Sequence, residues 1–146
     1  MKETIRILTI AGILLLFGTL SAFACQMRFK LIDENGTSQV VTPGRAVTLT
    51  EGEIYTLVVE FTEDHGNCPV DADETEFLLE EEKWKSSKDY LPLQLINSIS
   101  WRDVGKLSHI AELKFKASDT GSWELEIIRD CTKKDGYDEY FTFVVK

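Results

Sequence analysis

Apolar and polar side chains alternate through nearly the whole chain after its first two dozen residues. The clearest run is 54–62, where Tyr55, Leu57, Val59 and Phe61 share one face. A period of two indicates a half-buried strand, because successive side chains of a strand point to opposite sides. No competing helical periodicity is sustained, so the chain is predicted to be all-β.

Other runs repeat this pattern and are separated by turn signals. An Asn-Gly pair is a strong signal for a two-residue turn between antiparallel strands, and one occurs at 35–36. Seven or more short strands joined in this way predict an antiparallel β-sandwich, with a barrel as the alternative. The further strands are predicted at 27–31, 110–117, 122–129 and 139–145, and the further turns at 42–44 and 51–53.

The middle of the chain leaves two structures open. Residues 75–80 fit a strand, whereas 79–84 also fit a helical turn. Pro92 limits the segment after it to a strand start or an edge, since proline lacks the N–H that a central strand needs. Trp84 follows acidic residues and could be an exposed contact, but packing in the core is favoured.

An export signal is predicted at residues 1–24. Lys2 and Arg6 provide a positive start, an apolar run follows at 7–17, and Ala-Phe-Ala at 22–24 fits a cleavage site. The alternative is an uncleaved membrane anchor, but the small and polar residues of the segment favour removal. The predicted organisation is a signal peptide at 1–24 and one domain at 25–146, in the bacterial periplasm or cell envelope or, alternatively, secreted.

The three cysteines fit such an exported protein. Outside the reducing cytosol, Cys68 and Cys131 can form a disulfide, which leaves Cys25 over. Cys25 would be the first mature residue, and the preceding sequence resembles a bacterial lipoprotein signal, in which that cysteine carries a lipid. Cys25 as a lipid anchor, as a free thiol or as a partner in a different bridge all remain open.

Composition restricts the partners. Removing the signal leaves 122 of the 146 residues, the size of one domain, and changes the formal charge from −9 to about −10. An acidic chain does not suit nucleic acid, whose binding depends on Lys and Arg neutralising phosphates. We therefore expect a protein partner, no nucleic acid, and membrane contact only through a lipid on Cys25.

Candidate chemistry is sparse. His65, Cys68 and His109 could serve as soft-metal ligands, but a disulfide would consume the thiolate. The acidic run 80–82 lacks the alternating oxygen ligands of a calcium loop. No nucleotide-binding, metalloprotease or serine-hydrolase motif is present. The sequence thus predicts no metal, no cofactor and no enzymatic activity.

Residues 119–125, Asp-Thr-Gly-Ser-Trp-Glu-Leu, resemble the D-x-G-x-Y-x-C signature of immunoglobulin-type domains, with Trp123 at the tyrosine place and Leu125 at the cysteine place. The fold class that this resemblance implies is an immunoglobulin-like β-sandwich. The stretches 47–53 and 113–117 and the last two strands are similar, more specifically, to the chagasin family, inhibitors of papain-type cysteine peptidases.

The chagasin resemblance implies a set of binding loops. The family inhibits through three loops at one end of the sandwich, one carrying Asn-Pro-Thr-Thr-Gly and another Arg-Pro-Trp. The first corresponds to 62–69 here, which keeps only a glycine, and the second to 129–131, which keeps Arg129. The resemblance also implies that Cys68 and Cys131 lie in neighbouring loops, compatible with a disulfide. The candidate binding residues are Asp64, His65, Asn67, Arg129 and Asp130.

Two functions follow from the sequence. The first is an exported, non-catalytic binding or structural module of the cell envelope, with a disulfide that staples its loops. The second is a chagasin-like inhibitor of cysteine peptidases. Neither identifies a partner protein or an oligomeric state.

Overall fold

The protein is built from short β-strands, with one 3₁₀ turn at Ala72–Glu74 and no α-helix in the part of the chain that the structure describes. That part of the computed structural model comprises residues 25–63, 70–131 and 136–146. The strands are β1 Cys25–Asp33, β2 Ser38–Val41, β3 Ala46–Leu49, β4 Ile54–Glu63, β5 Glu76–Leu79, β6 Glu82–Lys83, β7 Leu93–Leu95, β8 Trp101–Gly105, β9 Ser108–Ala117, β10 Gly121–Arg129 and β11 Tyr137–Val145.

The strands form two sheets that pack face to face, which confirms the predicted β-sandwich. Sheet I has the order β2-β1-β4-β9-β7, with β8 also paired to β9, and sheet II has the order β3-β11-β10-β5-β6. The pairing is antiparallel except between β3 and β11, which run parallel. The cause is the crossover at 42–45, where the chain leaves sheet I for sheet II and Gly44 donates its N–H to the carbonyl of Tyr140 at 2.9 Å.

The core lies between the inward faces of the two sheets. The predicted alternation holds along β4, β9, β10 and β11, and each inward phenylalanine of these strands is fully buried: Phe61, Phe115, Phe141 and Phe143. Burying one such side chain contributes about 1.5–3 kcal/mol. Trp84 is 2% exposed and donates its indole N–H to the carbonyl of Leu93 at 2.6 Å, so the favoured core position is confirmed.

The middle of the chain is a tight hairpin, so the helical-turn alternative is wrong. Phe77 and Leu79 of β5 point inward, and β6 returns along β5 at once. Glu80 and Glu81 make the reversal with positive φ of 50° and 66°, the conformation that two-residue hairpin turns require. Glu80 also accepts the backbone N–H of Glu124 at 2.6 Å, which ties the turn to β10.

One edge of sheet I is made of two consecutive strands. β7 follows directly after Pro92, as predicted, and pairs with the last residues of β9, whereas β8 pairs with its first residues. Asn97 fills the interval, because its side-chain amide donates to the carbonyl of Glu112 and accepts the N–H of Lys114, both at 2.7 Å. This edge borders the site described below.

The sandwich has two unlike ends. We call the end with the β1–β2, β3–β4 and β9–β10 connections the turn end. The opposite, loop-bearing end contains the start of β1, the end of β4, and the connections after β8 and β10. Residues 1–24 and the side chain of Cys25 lie outside the described residues, as do 64–69 and 132–135. Within the described ranges, no helix is long and apolar enough to cross a membrane.

Candidate functional site

A buried arginine organises the loop-bearing end. Arg129, the last residue of β10, is 2% exposed. Its guanidinium lies 4.1 Å from the centroid of the Phe61 ring and donates to the carbonyls of Val70 and Asp71 and to the hydroxyl of Thr75. Arginine suits this place because its charge persists and its fork of donors satisfies several acceptors at once. The segment that follows the β4 loop is thereby fixed to the end of β10.

The predicted binding residues divide around this arginine. Arg129 lies inside the molecule, while its neighbour Asp130 is exposed. Cys131 is half-buried and carries a free thiol in the described part of the chain. Asp64, His65, Asn67 and Cys68 lie outside the described residues, as does the side chain of Cys25, so the disulfide and the lipid anchor stay predictions.

A histidine between two carboxylates lies beside Arg129. His109 is bound through Nδ1 to Asp103 at 2.7 Å and through Nε2 to Glu63 at 3.3 Å, and its ring stacks on Phe61. Both contacts are hydrogen bonds only when both ring nitrogens carry a proton, as in the imidazolium form. Within the described ranges, no group of three or more acidic, histidine or cysteine side chains can hold a metal ion.

A groove runs along the open edge of the sandwich next to this end. It has a volume of about 650 Å³ and lies between the β5–β6 edge of sheet II and the β7–β8 edge of sheet I. Side chains of the core form its apolar floor: Phe77, Trp84, Leu95, Ile99 and Trp101. Its rim is charged and polar: Asp73, Glu74, Thr75, Glu76, Lys83, Lys85, Ser86, Ser87 and Ser98. We call this the edge groove.

Trp101 distinguishes the edge groove from the rest of the surface. It is half-buried, stacks on Phe77 and meets Phe61 edge-on, both at 6.4 Å between ring centroids. The indole N–H groups of Trp84 and Trp123 donate to backbone carbonyls, whereas that of Trp101 has no acceptor among the described residues. A half-exposed tryptophan with a free donor suits a contact surface, since one side is apolar and the other wet.

The groove rests on contacts that a sequence pattern does not show. The alternation of Ile99 with Trp101 predicts a strand, but the groove forms only because two sheet edges far apart in the sequence face each other. The His109 trio likewise joins three strands, β4, β8 and β9. The one available signal was the tryptophan itself, a residue type enriched in interfaces.

Comparisons with known proteins show no family. No protein-family model matches the chain, and no curated protein matches it. Among solved structures, the chain is similar to the solution structure of Amebosin, with a TM-score of 0.36, 10% sequence identity, and coverage of 71% of this chain and 90% of that chain. At that level the similarity bears on neither fold nor function.

Proposed function

We propose that this protein is an exported, non-catalytic module of the cell envelope that binds a protein partner at its loop-bearing end and along the edge groove. The observation that carries the proposal is the edge groove, with half-exposed Trp101 on its floor and charges of both signs on its rim. Its volume of about 650 Å³ lies in the range typical of ligand sites.

Arg129 supports the proposal because it gives the site a rigid base. The 3₁₀ turn and the start of β5 supply part of the groove rim, and Arg129 binds Asp71 and Thr75 at their two ends. A preformed site loses less conformational entropy on binding than a mobile one. The groove is thus suited to a partner that docks on a fixed surface.

His109 supports a non-catalytic role. A general base needs a free ring nitrogen within hydrogen-bond reach of the group that it deprotonates. Both nitrogens of His109 face carboxylates, Asp103 and Glu63, so neither is directed at a hydroxyl or thiol of the described residues. The trio serves to join three strand ends.

The proposal includes the disulfide between Cys68 and Cys131. Cys68 precedes Val70 by two residues and Cys131 follows Arg129 by two, and the guanidinium of Arg129 donates to the carbonyl of Val70. Two residues span at most about 7 Å of chain. This contact supports the pairing, since both cysteines belong to chain segments that meet at one point.

Site-specific photocrosslinking in the native envelope tests the binding surface. A photoreactive phenylalanine derivative at Ser98, on the groove rim, should form a discrete adduct, whereas the same group at exposed Thr48 on the outside of sheet II should not. Trp101→Ala should lower the adduct yield about tenfold, a change of about 1.4 kcal/mol in binding. Lys85→Glu, on the rim and outside the core, tests the same point without loss of packing. Equal adducts at Ser98 and Thr48 would exclude the edge groove.

The second candidate function is a chagasin-like peptidase inhibitor. It is favoured by the gathering of the connections after β4, β8 and β10 at one end, as the resemblance implies. The burial of Arg129 weighs against it, because this matching residue is occupied by backbone carbonyls of its own chain. Titration of papain with the exported protein decides the matter: full activity at micromolar protein removes the inhibitor hypothesis.

A further inference from the structure

The outward faces of the two sheets carry opposite charge, although the whole chain is acidic. The strands of sheet I expose five cations and two carboxylates, and those of sheet II expose four carboxylates and one cation. The formal balance is +3 on one face and −3 on the other, with Glu80 and Glu81 of the β5–β6 turn adding to the second. The cations of sheet I are Arg28, Lys30, Arg102, Lys114 and Lys116, against Glu60 and Glu112; the acids of sheet II are Glu76, Glu124, Glu126 and Asp138, against Lys83.

Few of the charges on either face are paired within the chain. On the sheet I face, which we call the basic face, Arg102 is bound to Glu112 at 3.1 Å. On the sheet II face, the acidic face, Lys83 is bound to Glu76 at 2.6 Å. Arg28 and Lys30 on one side, and Glu124 and Glu126 on the other, form no ion pair within the described residues. They are available to a partner.

The two faces also have complementary relief. The basic face holds a depression of about 470 Å³, lined in part by Val40, Val58 and Ile110 with Arg28 and Lys30 beside them. Val40 is 82% exposed, the largest exposed fraction among the large apolar side chains of the described residues. On the acidic face Tyr140 is 43% exposed and donates its hydroxyl to Glu126 at 2.7 Å. An exposed aromatic ring flanked by acids on one face thus matches an apolar depression flanked by bases on the other.

We propose that copies of this chain associate by stacking the basic face of one copy on the acidic face of the next, with Tyr140 of one copy in the Val40 depression of the other. Each copy supplies both halves of the complement, so the partner that fits the basic face is a second copy. Tyrosine is enriched in such contacts. The contact uses the sheet faces and is independent of the edge groove.

Geometry supports a contact of sufficient size. Five strands about 4.8 Å apart and about nine residues long cover roughly 700 Å² of each face, hence roughly 1,400 Å² in total, within the range of specific interfaces. Because the two faces lie on opposite sides of the sandwich, the contact is heterologous. Such a contact leaves a free face at each end of the assembly and allows further copies to add.

Sedimentation velocity of the exported protein, with paired neutralising variants, tests the stacking. The wild type should form dimers and longer assemblies as its concentration rises toward about 1 mM. Arg28→Gln with Lys30→Gln removes one face, and Glu124→Gln with Glu126→Gln removes the other. Each variant alone should associate at least about tenfold more weakly. Lys85→Gln with Lys106→Gln, outside both faces, is the matched control and should behave as the wild type.

Mixing the two variants gives the decisive result. One variant keeps an acidic face and the other a basic face, so an equimolar mixture should restore one contact and stop at 1:1 dimers. Circular dichroism confirms that every variant is folded. A wild type that stays monomeric, variants that associate as the wild type does, or a mixture that forms no dimers would each overturn the proposal. These outcomes leave the groove crosslinks unaffected, so the two proposals fail separately.

Discussion

The two ends of the sandwich are held together by different means. At the turn end, backbone groups bond to backbone groups: Glu51 donates to the carbonyl of Lys146 at 2.9 Å, and Gly52 donates to that of Ala117 at 2.7 Å. At the loop-bearing end, a side chain takes this role, because Arg129 reaches from β10 to the carbonyls of Val70 and Asp71. One end is a closed set of short turns, and the other depends on a single buried cation.

This difference separates stability from function. Short turns that bond to each other leave little room for variation, whereas loops carried on a fixed base can change sequence without loss of the fold. The edge groove opens next to the loop-bearing end, where Thr75 and Trp101 line it. The turn end is therefore the structural half of the molecule, and the loop-bearing end is the half suited to recognition.

The comparison also sets two hypotheses against each other. Cys25 begins β1 and pairs with Glu63, the last residue of β4, so it lies at the loop-bearing end without a tether. A lipid on Cys25 would hold this end against the bilayer. Lipid anchoring and peptidase inhibition through the same loops thus exclude each other, while binding along the edge groove is compatible with both.

The largest expected effect concerns the disulfide at the loop-bearing end. Closing the 62 residues between Cys68 and Cys131 stabilises the fold by about 4 kcal/mol on the chain-entropy model. Cys131→Ser should lower the free energy of unfolding by that amount, measured by urea denaturation of the oxidised protein. Cys25→Ser is the control and should change nothing. Identical curves for the wild type with and without reductant would show that no stabilising bridge exists.

Removing the buried cation should have the next largest effect. Arg129→Met keeps much of the volume but leaves the carbonyls of Val70 and Asp71 without their donor, so we expect a loss of about 3 kcal/mol. Arg102→Met is the surface control: its ion pair with Glu112 is 62% and 55% exposed, and its loss should cost at most about 0.5 kcal/mol. Equal denaturation midpoints for the two variants would contradict the assigned role of Arg129.

The turn end should respond to a backbone change instead. Gly121 has a φ of 146°, and a Cβ there would lie 2.7 Å from Cζ2 of Trp123. Gly121→Ala therefore combines strain with a clash, and we expect a loss of about 2 kcal/mol. Gly36→Ala, at a φ of 82° with no atom within 4 Å, carries only the backbone cost of about 1 kcal/mol. Thermal unfolding of both variants gives the comparison, and a larger loss at Gly36 would refute it.

The turn end could be predicted from the sequence, because its determinants are local. The Asn-Gly pair at 35–36 and the alternation along β4 and β9 depend on neighbours a few residues apart, and the structure confirms them. The hairpin at 80–81 was the exception, since glutamates rarely adopt positive φ. A carboxylate bonded to β10 stabilises it, and that contact joins residues 44 apart.

The loop-bearing end could not be predicted in the same way. Arg129 and Val70 are 59 residues apart, and nothing in the sequence around either one indicates that an arginine would be buried there. The parallel pairing of β3 with β11 and the opposite charge of the two faces depend on which sheet each strand joins. Strand order is a tertiary property that alternation does not encode, because every half-buried strand shows the same period.

The smallest effect is a pH dependence shared by both ends. Burial raises the pKa of Tyr55 at the turn end and that of Tyr137 at the loop-bearing end. The hydrogen bond to Glu82 raises the pKa of Tyr90, and that to Glu126 raises the pKa of Tyr140 to about 12. All four tyrosines of the chain thus hold their protons more tightly when folded than the ordinary pKa of 10 allows.

Stability should therefore fall as the pH rises above 10, since the unfolded chain releases phenolic protons there and the folded chain does not. Below that pH both states are protonated and the tyrosines contribute no slope. Absorbance of tyrosinate should rise little between pH 10 and 11 in the folded protein. Glu126→Gln removes the acceptor of Tyr140 and should move one tyrosine of four to a lower pH. Tyrosinate at half its final level by pH 10, with the fold intact by circular dichroism, would contradict the buried positions of Tyr55 and Tyr137.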